Sequence, residues 1–587
     1  MNAPARVLLS FLITTLAPAA PLAAQQSAAF RTDPNWFKNA VIYEIYPRSF
    51  QDSNGDGIGD LNGIATRLDY LQALGVDAIW LTPIYPSPQV DFGYDISDYE
   101  SIDAKYGTLA DFDHLVTEAR KRNIGIIMDL VLNHTSDKHP WFKESASSRT
   151  NPKADWYMWR DPKMVNGHRE PPNNWLSVFG HSAWQWDAAR RQYYYHRFYI
   201  QQPDLNWNNP EVRKAMYNVE RFWIQHGAAG FRLDAITSLF EDPTFSDEDY
   251  VLGPDGKPEI NAYGDKEVKT DKTDGLPEVN DVLRELRQVA DQTQGRKVIL
   301  IGETYLRSVD DLRKMYGEHN NELDLPMDMQ VGFPPSGANL LDVNRFRERI
   351  NEAETEIGGN MPLFVFDNHD NARWDRWVTN DHKDDVGRVL ATLLFASRDT
   401  AMMYYGDEIG MVTTPPTRKE DVKDPIGITG WPKEKGRDGE RTPMQWNDGP
   451  DAGFSPPGVK TWLPIPASYK QDNVAVEEQQ PDSMLHWYQQ IIALKKQDPA
   501  LHDGAEIMLN TSNEQVLSWL RKADSGEAVI VACNLTDHPQ TVSFDLSANG
   551  IKSSHATTLI KTPGAPDPAS LRSVQLGPYG VYAGRVQ

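Results

Sequence analysis

Short runs of β-branched and aromatic residues alternate, from about residue 36 onward, with segments whose apolar positions recur at helical spacing. This alternation is typical of βα units arranged around a parallel sheet, the α/β class. Eight strands are predicted over Val41–Tyr46, Ala78–Thr82, Gly125–Leu132, Gly230–Asp234, Val298–Glu303, Met327–Phe333 (the weakest), Leu363–Phe366 and Ala401–Tyr405. Eight such strands predict a closed (β/α)8 TIM barrel.

The segments between the strands support this prediction. Leu68, Leu71 and Leu74 recur at helical spacing before Gly75, a residue suited to a helix C-terminus. A second amphipathic helix is predicted over Pro210–His226, because proline is favoured in the first helical turn.

Two segments depart from the βα pattern. Asn133 to Asn209 form a connection of roughly eighty residues rich in Trp, Asn and Pro, far longer than an ordinary βα loop. After about residue 503 the pattern changes to polar, alternating runs, which predict an antiparallel β-sandwich. We therefore expect the barrel over residues 25–133 and 208–502, an inserted domain over 134–207, and a C-terminal domain over 503–587.

Composition narrows the function. The 587 residues carry 59 Lys and Arg against 83 Asp and Glu, a formal net charge of −24. Such a chain lacks the basic surface that nucleic-acid binding requires, so no nucleic-acid partner is expected. Cys533 is the single cysteine, so an intramolecular disulfide and a cysteine-based metal cluster are both excluded. We expect its thiol to be buried.

The N-terminus predicts export. Arg6 precedes an apolar stretch from Val7 to Leu16, and small residues near Ala24 offer a cleavage site, so residues 1–24 are expected to form a signal peptide. The alternative is a mis-started N-terminus. The stretch is too short to span a bilayer and no later run is long enough, so no membrane span is expected. The predicted location is periplasmic or secreted.

Polar residues stand at the ends of several predicted strands, where the active sites of such barrels lie. These residues are Asp129, Asn133, His134, Arg232, Asp234, Glu303, Asn368, His369 and Asp370. Crowded carboxylates raise one another's pKa, which favours one protonated and one ionised group. Glycoside hydrolysis needs that division: an acid protonates the leaving oxygen while a carboxylate meets the anomeric carbon. The alternative is a set of salt bridges or caps at the barrel end.

A loop near the first strand resembles a calcium loop. Asp52, Asn54, Asp56 and Asp60 supply oxygen ligands at alternate positions, together with the Ile58 carbonyl. The twelfth position is not Glu, so this is not an EF-hand. We expect a structural Ca²⁺ or Mg²⁺ here. The alternative is a surface loop of Asx turns without metal.

These motifs resemble glycoside hydrolase family 13, the α-amylase family, and within it the α-glucosidase and oligo-1,6-glucosidase branch. The resemblance covers nearly all of the predicted mature chain. It rests on the ion loop and on Tyr43 to Phe50, Asp129 to His134, Gln202 to Asn206, Gly230 to Asp234, Gly302-Glu303 and Asn368 to Asp370.

The resemblance implies a retaining mechanism. Asp234 would be the nucleophile that forms a β-glucosyl ester, Glu303 the acid and then the base, and Asp370 the carboxylate that grips the sugar. Their working separation would be about 5 to 5.5 Å between Asp234 and Glu303. Arg232 would orient Asp234.

The same resemblance implies a substrate pocket for an oligosaccharide or α-glucoside. His134 and His369 would bind glucosyl hydroxyls, Tyr94 would stack under the glucose, and Asp91 and Arg441 would form a charged pair at its 4-hydroxyl, giving exo action. Acceptor-side contacts would come from Phe179 and from the loop Asn371 to Trp377. Ala235, directly after the nucleophile, favours α-1,4 over α-1,6 linkages, a preference rather than an exclusion.

Two rival functions stay open at this point. One is a glucosyl transferase, or a sucrose-isomerising or oligo-1,6-glucosidase enzyme, with the same site and a different acceptor or linkage. The other is a non-catalytic binding protein of the same fold, such as a transporter heavy-chain ectodomain. The sequence leaves the oligomeric state open.

Overall fold

The computed structural model describes residues 32–306, 308–334, 339–378 and 380–587. The predicted signal peptide, residues 1–24, lies outside these ranges. Within them, no helix combines the length and apolar character needed to cross a membrane.

Eight parallel strands form the central sheet of the described chain. They are Val41–Ile45, Ala78–Leu81, Gly125–Val131, Gly230–Asp234, Ile299–Gly302, Leu325–Asp328, Leu363–Phe364 and Ala401–Tyr404. Each strand pairs with its neighbours in chain order, and the first also pairs with the eighth. The seventh and eighth share no ladder, yet the Thr400 amide donates to the Pro362 carbonyl at 3.0 Å beside that gap. The predicted barrel is therefore confirmed as nearly closed.

Helices cover the outside of the barrel and connect its strands. The α-helices span Pro47–Phe50, Leu61–Thr66, Leu68–Leu74, Leu109–Lys121, Pro140–Ser147, Pro210–Gln225, Val279–Asp291, Val309–Lys314, Met329–Gly332, Val343–Glu356, Lys383–Ala396, Pro425–Gly430, Val474–Glu477, Met484–Gln497 and Pro499–Asp503. The predicted C-terminus at Gly75 is confirmed, with φ of 97° that glycine adopts readily. Asn209 caps the helix that begins at Pro210, as the sequence indicates.

The sixth strand lies earlier than predicted. It spans Leu325–Asp328, and the chain turns at once into the helix Met329–Gly332. The Asp328 carboxylate accepts a hydrogen bond from the Gln330 amide and so caps that helix. The apolar run that suggested a longer strand is divided between two elements.

The long connection after the third strand contains its own small sheet. Trp159–Arg160, Gln192–Tyr195 and Trp184–Asp187 pair antiparallel, and Lys163–Val165 with His168–Glu170 forms a hairpin. Its core is aromatic, with Trp175, Trp184 and Tyr195 all buried. A second long connection, residues 241–278, packs beside it and was not predicted from the sequence.

The C-terminal segment forms antiparallel sheets, as predicted. Five strands, Ala505–Leu509, Val516–Lys522, Ala528–Asn534, Val581–Val586 and Ala556–Lys561, make one sheet, and Gln540–Val542 with Val574–Leu576 makes a second. Apolar side chains from both sheets pack between them. Cys533 is fully buried in this domain, as expected.

Candidate active site

A buried arginine joins three carboxylates at the carboxyl ends of three strands. The register of the third and fourth strands pairs Asp129 with Arg232, and Asp234 follows two residues later. Arg232 Nη1 lies 3.1 Å from both Asp129 oxygens and 2.7 Å from Asp234 Oδ1. Its Nη2 lies 2.8 Å from Glu303 Oε1 and forms an ion pair with it, but the angle at the donor is unsuitable for a hydrogen bond. Arg232 therefore holds Asp129 and Asp234 more firmly than Glu303.

Burial raises the pKa of both acids nearest the cavity. The pKa of Asp234 rises to about 7, although Arg232 opposes the shift. The pKa of Glu303 also rises to about 7, with Arg232 opposing and the Asp234 charge adding to the shift. The Ala235 amide donates to Glu303 Oε2 at 2.9 Å and so fixes the second carboxyl beside the first. One proton can be held between these two groups near neutral pH.

A second charged cluster faces the first across the cavity. Asp370 Oδ1 accepts from Arg437 Nη1 at 2.8 Å and from Arg441 Nη2 at 2.7 Å. Burial opposes ionisation, but the neighbouring His369 and the two arginines hold the pKa of Asp370 well below its usual range. Asp370 is therefore ionised at any working pH.

The predicted pairing of Asp91 with Arg441 is wrong. Asp91 Oδ1 instead binds Arg437 Nη2 at 2.7 Å, and its Oδ2 accepts from Gln202 Nε2 at 3.0 Å. Arg441 is 1% exposed and points to Asp370 and to the His369 carbonyl, so it lies behind the cavity wall. The two arginines are four residues apart in one loop, and only the first reaches the cavity.

The predicted histidines occupy different layers. His134 lines the cavity, and its Nε2 contacts the Tyr94 carbonyl at 3.0 Å and Gln202 at 3.2 Å. Burial lowers its pKa to about 4, so its ring is neutral at pH 7. His369 is fully buried, with Nε2 2.6 Å from the Tyr94 hydroxyl and Nδ1 2.6 Å from Glu44. His369 is not among the residues that line the cavity and lies behind Tyr94, and its contact with glucosyl hydroxyls stays a prediction.

One cavity of about 360 Å³ collects most of the predicted residues. It is lined by Asp91, Tyr94, His134, Val178, Phe179, Arg197, Phe198, Gln202, Asp234, Ala235, Thr237, Ser238, Asp274, Glu303, Tyr305, Asp370, Ile426 and Arg437. Arg232, His369 and Arg441 support this lining from behind. This volume lies within the range typical of small-molecule sites, and the lining supplies charged and polar groups that could orient a ligand.

Ala235 has an unusual backbone conformation, and Phe179 packs against a charged group of the lining. Ala235 adopts φ of 44°, a left-handed conformation that a residue other than glycine rarely adopts. Such strain is often found at functional sites, and here it aims the Ala235 amide at Glu303. Phe179, predicted as an acceptor contact, lines the cavity with the Arg437 guanidinium 5.5 Å from its ring centre.

Several lining residues were not predicted from the sequence. Arg437 and Gln202 both bind Asp91 in the cavity lining, and Arg197 and Asp274 form a further ion pair there at 3.7 Å. Gln202 begins the Gln202 to Asn206 motif of the sequence analysis, and Arg437 lies four residues before Arg441, so their places in the sequence were an available signal. Asp274 lies in the long connection 241–278, whose packing no local pattern indicates.

The loop expected to hold a cation satisfies its own oxygens. The Asp52 and Asp60 carboxylates accept hydrogen bonds from backbone amides nearby, between 2.7 and 3.1 Å. Asn54 and Asp56 accept from amides two residues on, that of Ile58 included, as in Asx turns. Across the described ranges, no three His, Cys, Asp or Glu side chains are grouped to hold a metal ion. Hydrogen bonds of this kind form in Asx turns, and a cation in this loop stays a prediction.

Comparison with known proteins identifies the family. Residues 44–504 match the family model "Alpha amylase, catalytic domain", and residues 507–583 match "Maltogenic Amylase, C-terminal domain". The two matches meet near residue 505, where the C-terminal sheet begins.

Individual relatives agree. The chain is 42% identical to a probable alpha-glucosidase of Rhizobium meliloti (strain 1021), over 88% of this chain and 92% of that one. It is 38% identical to an oligo-1,6-glucosidase of Heyndrickxia coagulans, over 87% and 93%. The crystal structure of an alpha-glucosyl transfer enzyme, XgtA, superposes with a TM-score of 0.83 at 37% identity, covering 94% of this chain and 99% of that one. The chain therefore belongs to the α-amylase family, glycoside hydrolase family 13, and is a glycoside hydrolase with glucosidase relatives.

Proposed function

We propose that the protein is an exo-acting, retaining α-glucosidase that removes terminal α-1,4-linked glucose from maltose-type substrates. The observation that carries this proposal is the cavity itself: Asp234 and Glu303 contact the same guanidinium, while an ion pair of Asp91 with Arg437 closes the far end.

The first half of the reaction forms a covalent ester. Arg232 holds Asp234 Oδ1, so the second oxygen attacks the anomeric carbon as the glycosidic C–O bond breaks. Glu303, less firmly held by Arg232, gives its proton to the departing oxygen. The leaving sugar departs as an alcohol and the glucosyl group stays on Asp234.

The second half releases glucose. Glu303, now ionised, takes a proton from water, whose oxygen attacks the anomeric carbon and breaks the ester to Asp234. Two inversions return the α configuration. Contact of both carboxyls with neighbouring nitrogens of Arg232 places them side by side, in keeping with the separation of about 5 to 5.5 Å that retention requires.

Exo action follows from the closed end. A sugar seated at Asp234 would meet Asp91 and Arg437 at the side opposite the bond to be broken. The pair is buried and braced by Gln202 and Asp424, so a longer chain has no path beyond that sugar. Only a non-reducing end fits this position.

The α-1,4 preference is the finer part of the proposal. Ala235 lines the cavity next to Asp234, and its small side chain leaves room on the leaving-group side. Packing differences of this size are worth about 1 to 3 kcal/mol of discrimination, which is roughly a tenfold to hundredfold ratio of rates. The similarity to a protein named oligo-1,6-glucosidase supports the alternative of α-1,6 specificity.

A substrate panel tests this proposal. Purified mature protein is supplied with maltose, isomaltose and sucrose in separate reactions, and glucose release is followed with product identity. The proposal predicts the highest kcat/KM on maltose, with free glucose as the main product. Faster turnover of isomaltose would contradict the linkage, and Ala235→Val provides the matched variant, expected to shift the ratio toward isomaltose.

Transfer to another acceptor is the second candidate. The cavity lining includes apolar side chains that an acceptor other than water could contact, among them Val178, Phe198 and Ile426, and XgtA is titled an alpha-glucosyl transfer enzyme. New glucosides in place of free glucose, or isomerised sucrose, would favour this candidate. The non-catalytic alternative would require no turnover at all.

The cation and the cellular location stay predictions. A Ca²⁺ or Mg²⁺ in the loop Asp52 to Asp60 would appear as one equivalent of metal in purified protein and as a lower unfolding temperature after chelation. Export would appear as a mature N-terminus near Gln25 in protein recovered from the periplasm or medium. Metal-free protein would contradict only the predicted cation, and an uncleaved N-terminus would contradict only the predicted export.

A further inference from the structure

A chain of hydrogen bonds runs from a buried carboxyl outside the cavity to the arginine of the active site. Glu44, in the first barrel strand, is 1% exposed and its Oε1 lies 2.6 Å from His369 Nδ1. His369 Nε2 lies 2.6 Å from the Tyr94 hydroxyl, and that hydroxyl lies 3.0 Å from Asp129 Oδ2. Asp129 in turn binds Arg232. Glu44 has no role in the mechanism given above.

Each link in this chain holds one hydrogen, so the links must all point the same way. With a protonated Glu44, its O–H donates to Nδ1, the Nε2–H of His369 donates to Tyr94, and the Tyr94 hydroxyl donates to Asp129. With an ionised Glu44, Nδ1–H donates to Glu44 and Tyr94 donates to Nε2, which leaves Asp129 without that donor. The protonation state of Glu44 therefore decides whether Asp129 is stabilised as an anion.

The surroundings of Glu44 favour the neutral acid. Its Oε2 is buried without a hydrogen-bond partner among the described residues, so an ionised group would be poorly compensated.

The electrostatic surroundings of Glu44, taken with its burial, also favour the protonated form. Asp370 and Asp367 disfavour a further negative charge, and Tyr404 lies nearby. Arg232 and the His369 backbone amide, which donates to Glu44 Oε1 at 3.3 Å, favour the ionised form, but burial outweighs both. Burial raises the pKa of Glu44 well above its usual value and lowers that of His369. The rings of His369 and Tyr94 lie within 5° of parallel, with their centroids 5.4 Å apart, so the two side chains also pack against each other.

We propose that Glu44 is a positioning residue that stays protonated and directs the hydrogen bonds of His369 and Tyr94 toward Asp129. Asp129 then remains an anion and holds Arg232, which holds Asp234 for attack. This inference rests on the proposed role of Asp234.

Two substitutions test it on the full-length mature enzyme. Glu44→Gln keeps a neutral donor toward Nδ1 and should leave kcat and KM within about threefold of wild type. Glu44→Leu removes the donor and should lower kcat by about 30-fold while KM changes by less than about threefold. An unchanged kcat in Glu44→Leu, or an equal loss in both variants, would overturn the proposal.

The pH profile gives a readout that a purely structural role would not move. Because a neutral acid is replaced by a neutral amide, both limbs of kcat/KM for Glu44→Gln should lie within about 0.3 pH units of wild type. A larger shift would show that a charge was removed and would overturn the proposal, even if Glu44→Leu fails to fold. Glu506→Gln, at a buried carboxyl of the C-terminal domain, is the matched control.

Failure of this inference is separable from failure of the proposed function. An Asp234→Asn variant that keeps wild-type turnover would contradict the proposed function itself. A fully inactive Asp234→Asn, combined with a failed Glu44 result, would contradict only the role of Glu44.

Discussion

The cluster around Arg232 and a buried cluster around Lys495 have similar chemistry and different consequences. Around Arg232, one cation meets the three carboxylates of Asp129, Asp234 and Glu303 at the mouth of the barrel. The negative charge is in excess, and burial raises the pKa of each of these acids. This cluster opens onto the cavity through Asp234 and Glu303.

The Lys495 cluster lies between the barrel and the C-terminal domain. Lys495 donates to Asp399 at 2.9 Å, and both side chains are buried. Arg521 donates to the carbonyls of Ala396 and Gly504, near the buried Glu506. Two cations face two carboxylates here, so charge is balanced. Buried charge alone therefore does not mark the active site; excess acid that faces a cavity does.

The largest expected effect separates the two clusters directly. Asp234→Asn removes the attacking oxygen and should lower kcat by about 10⁴-fold with a near-native unfolding temperature. Steady-state kinetics on maltose and circular dichroism measure the two quantities. Activity near the wild-type level would contradict the nucleophile assignment.

The closed end of the cavity gives the next effect. Arg437→Ala removes the partner of Asp91 and one partner of Asp370, and should lower kcat/KM by about 10²-fold. Arg437→Lys keeps the charge and should recover part of that loss. Because the structure pairs Asp91 with Arg437, a loss confined to Arg441 variants would contradict this pairing.

Breaking the balanced cluster should affect stability alone. Asp399→Asn leaves Lys495 buried without its charge partner and should cost about 3 kcal/mol of unfolding free energy. Urea unfolding measures that cost, and kcat of the folded fraction should remain within about twofold of wild type. A large fall in kcat would contradict the claim that only the Arg232 cluster contributes to catalysis.

The pH dependence of activity sharpens the comparison further. Asp234 acts when ionised, so the rate falls as pH drops through its pKa of about 7. Glu303 acts when protonated, so the rate falls as pH rises through its pKa of about 7. The expected kcat/KM profile is a narrow bell centred near pH 7, and each limb belongs to the coupled pair. A flat profile from pH 5 to 9 would contradict it.

The fold and the centre of the site were predictable because their signals are local. Strand runs fix the barrel, and Arg232 and Asp234 share one strand whose period of two places both side chains on the same face. The partner of Asp91 could not be predicted, because Arg437 and Arg441 lie in one loop and only tertiary packing decides which reaches the cavity. The role of Glu44 also requires contacts between the first strand and residue 369, which are 325 positions apart.

The most direct test of the central claim is the anomeric form of the first glucose released. Proton NMR is recorded on mature enzyme turning over maltose, before mutarotation of the product. Half of the glucose comes from the reducing unit of maltose and carries that unit's own anomeric mixture. A retaining mechanism through Asp234 predicts that the other half appears as α-glucose, so the first glucose has a larger α fraction than the reducing end of maltose, and this fraction then falls at the rate of mutarotation. An initial α fraction smaller than that of the maltose reducing end would contradict the covalent intermediate and the roles of Asp234 and Glu303 together.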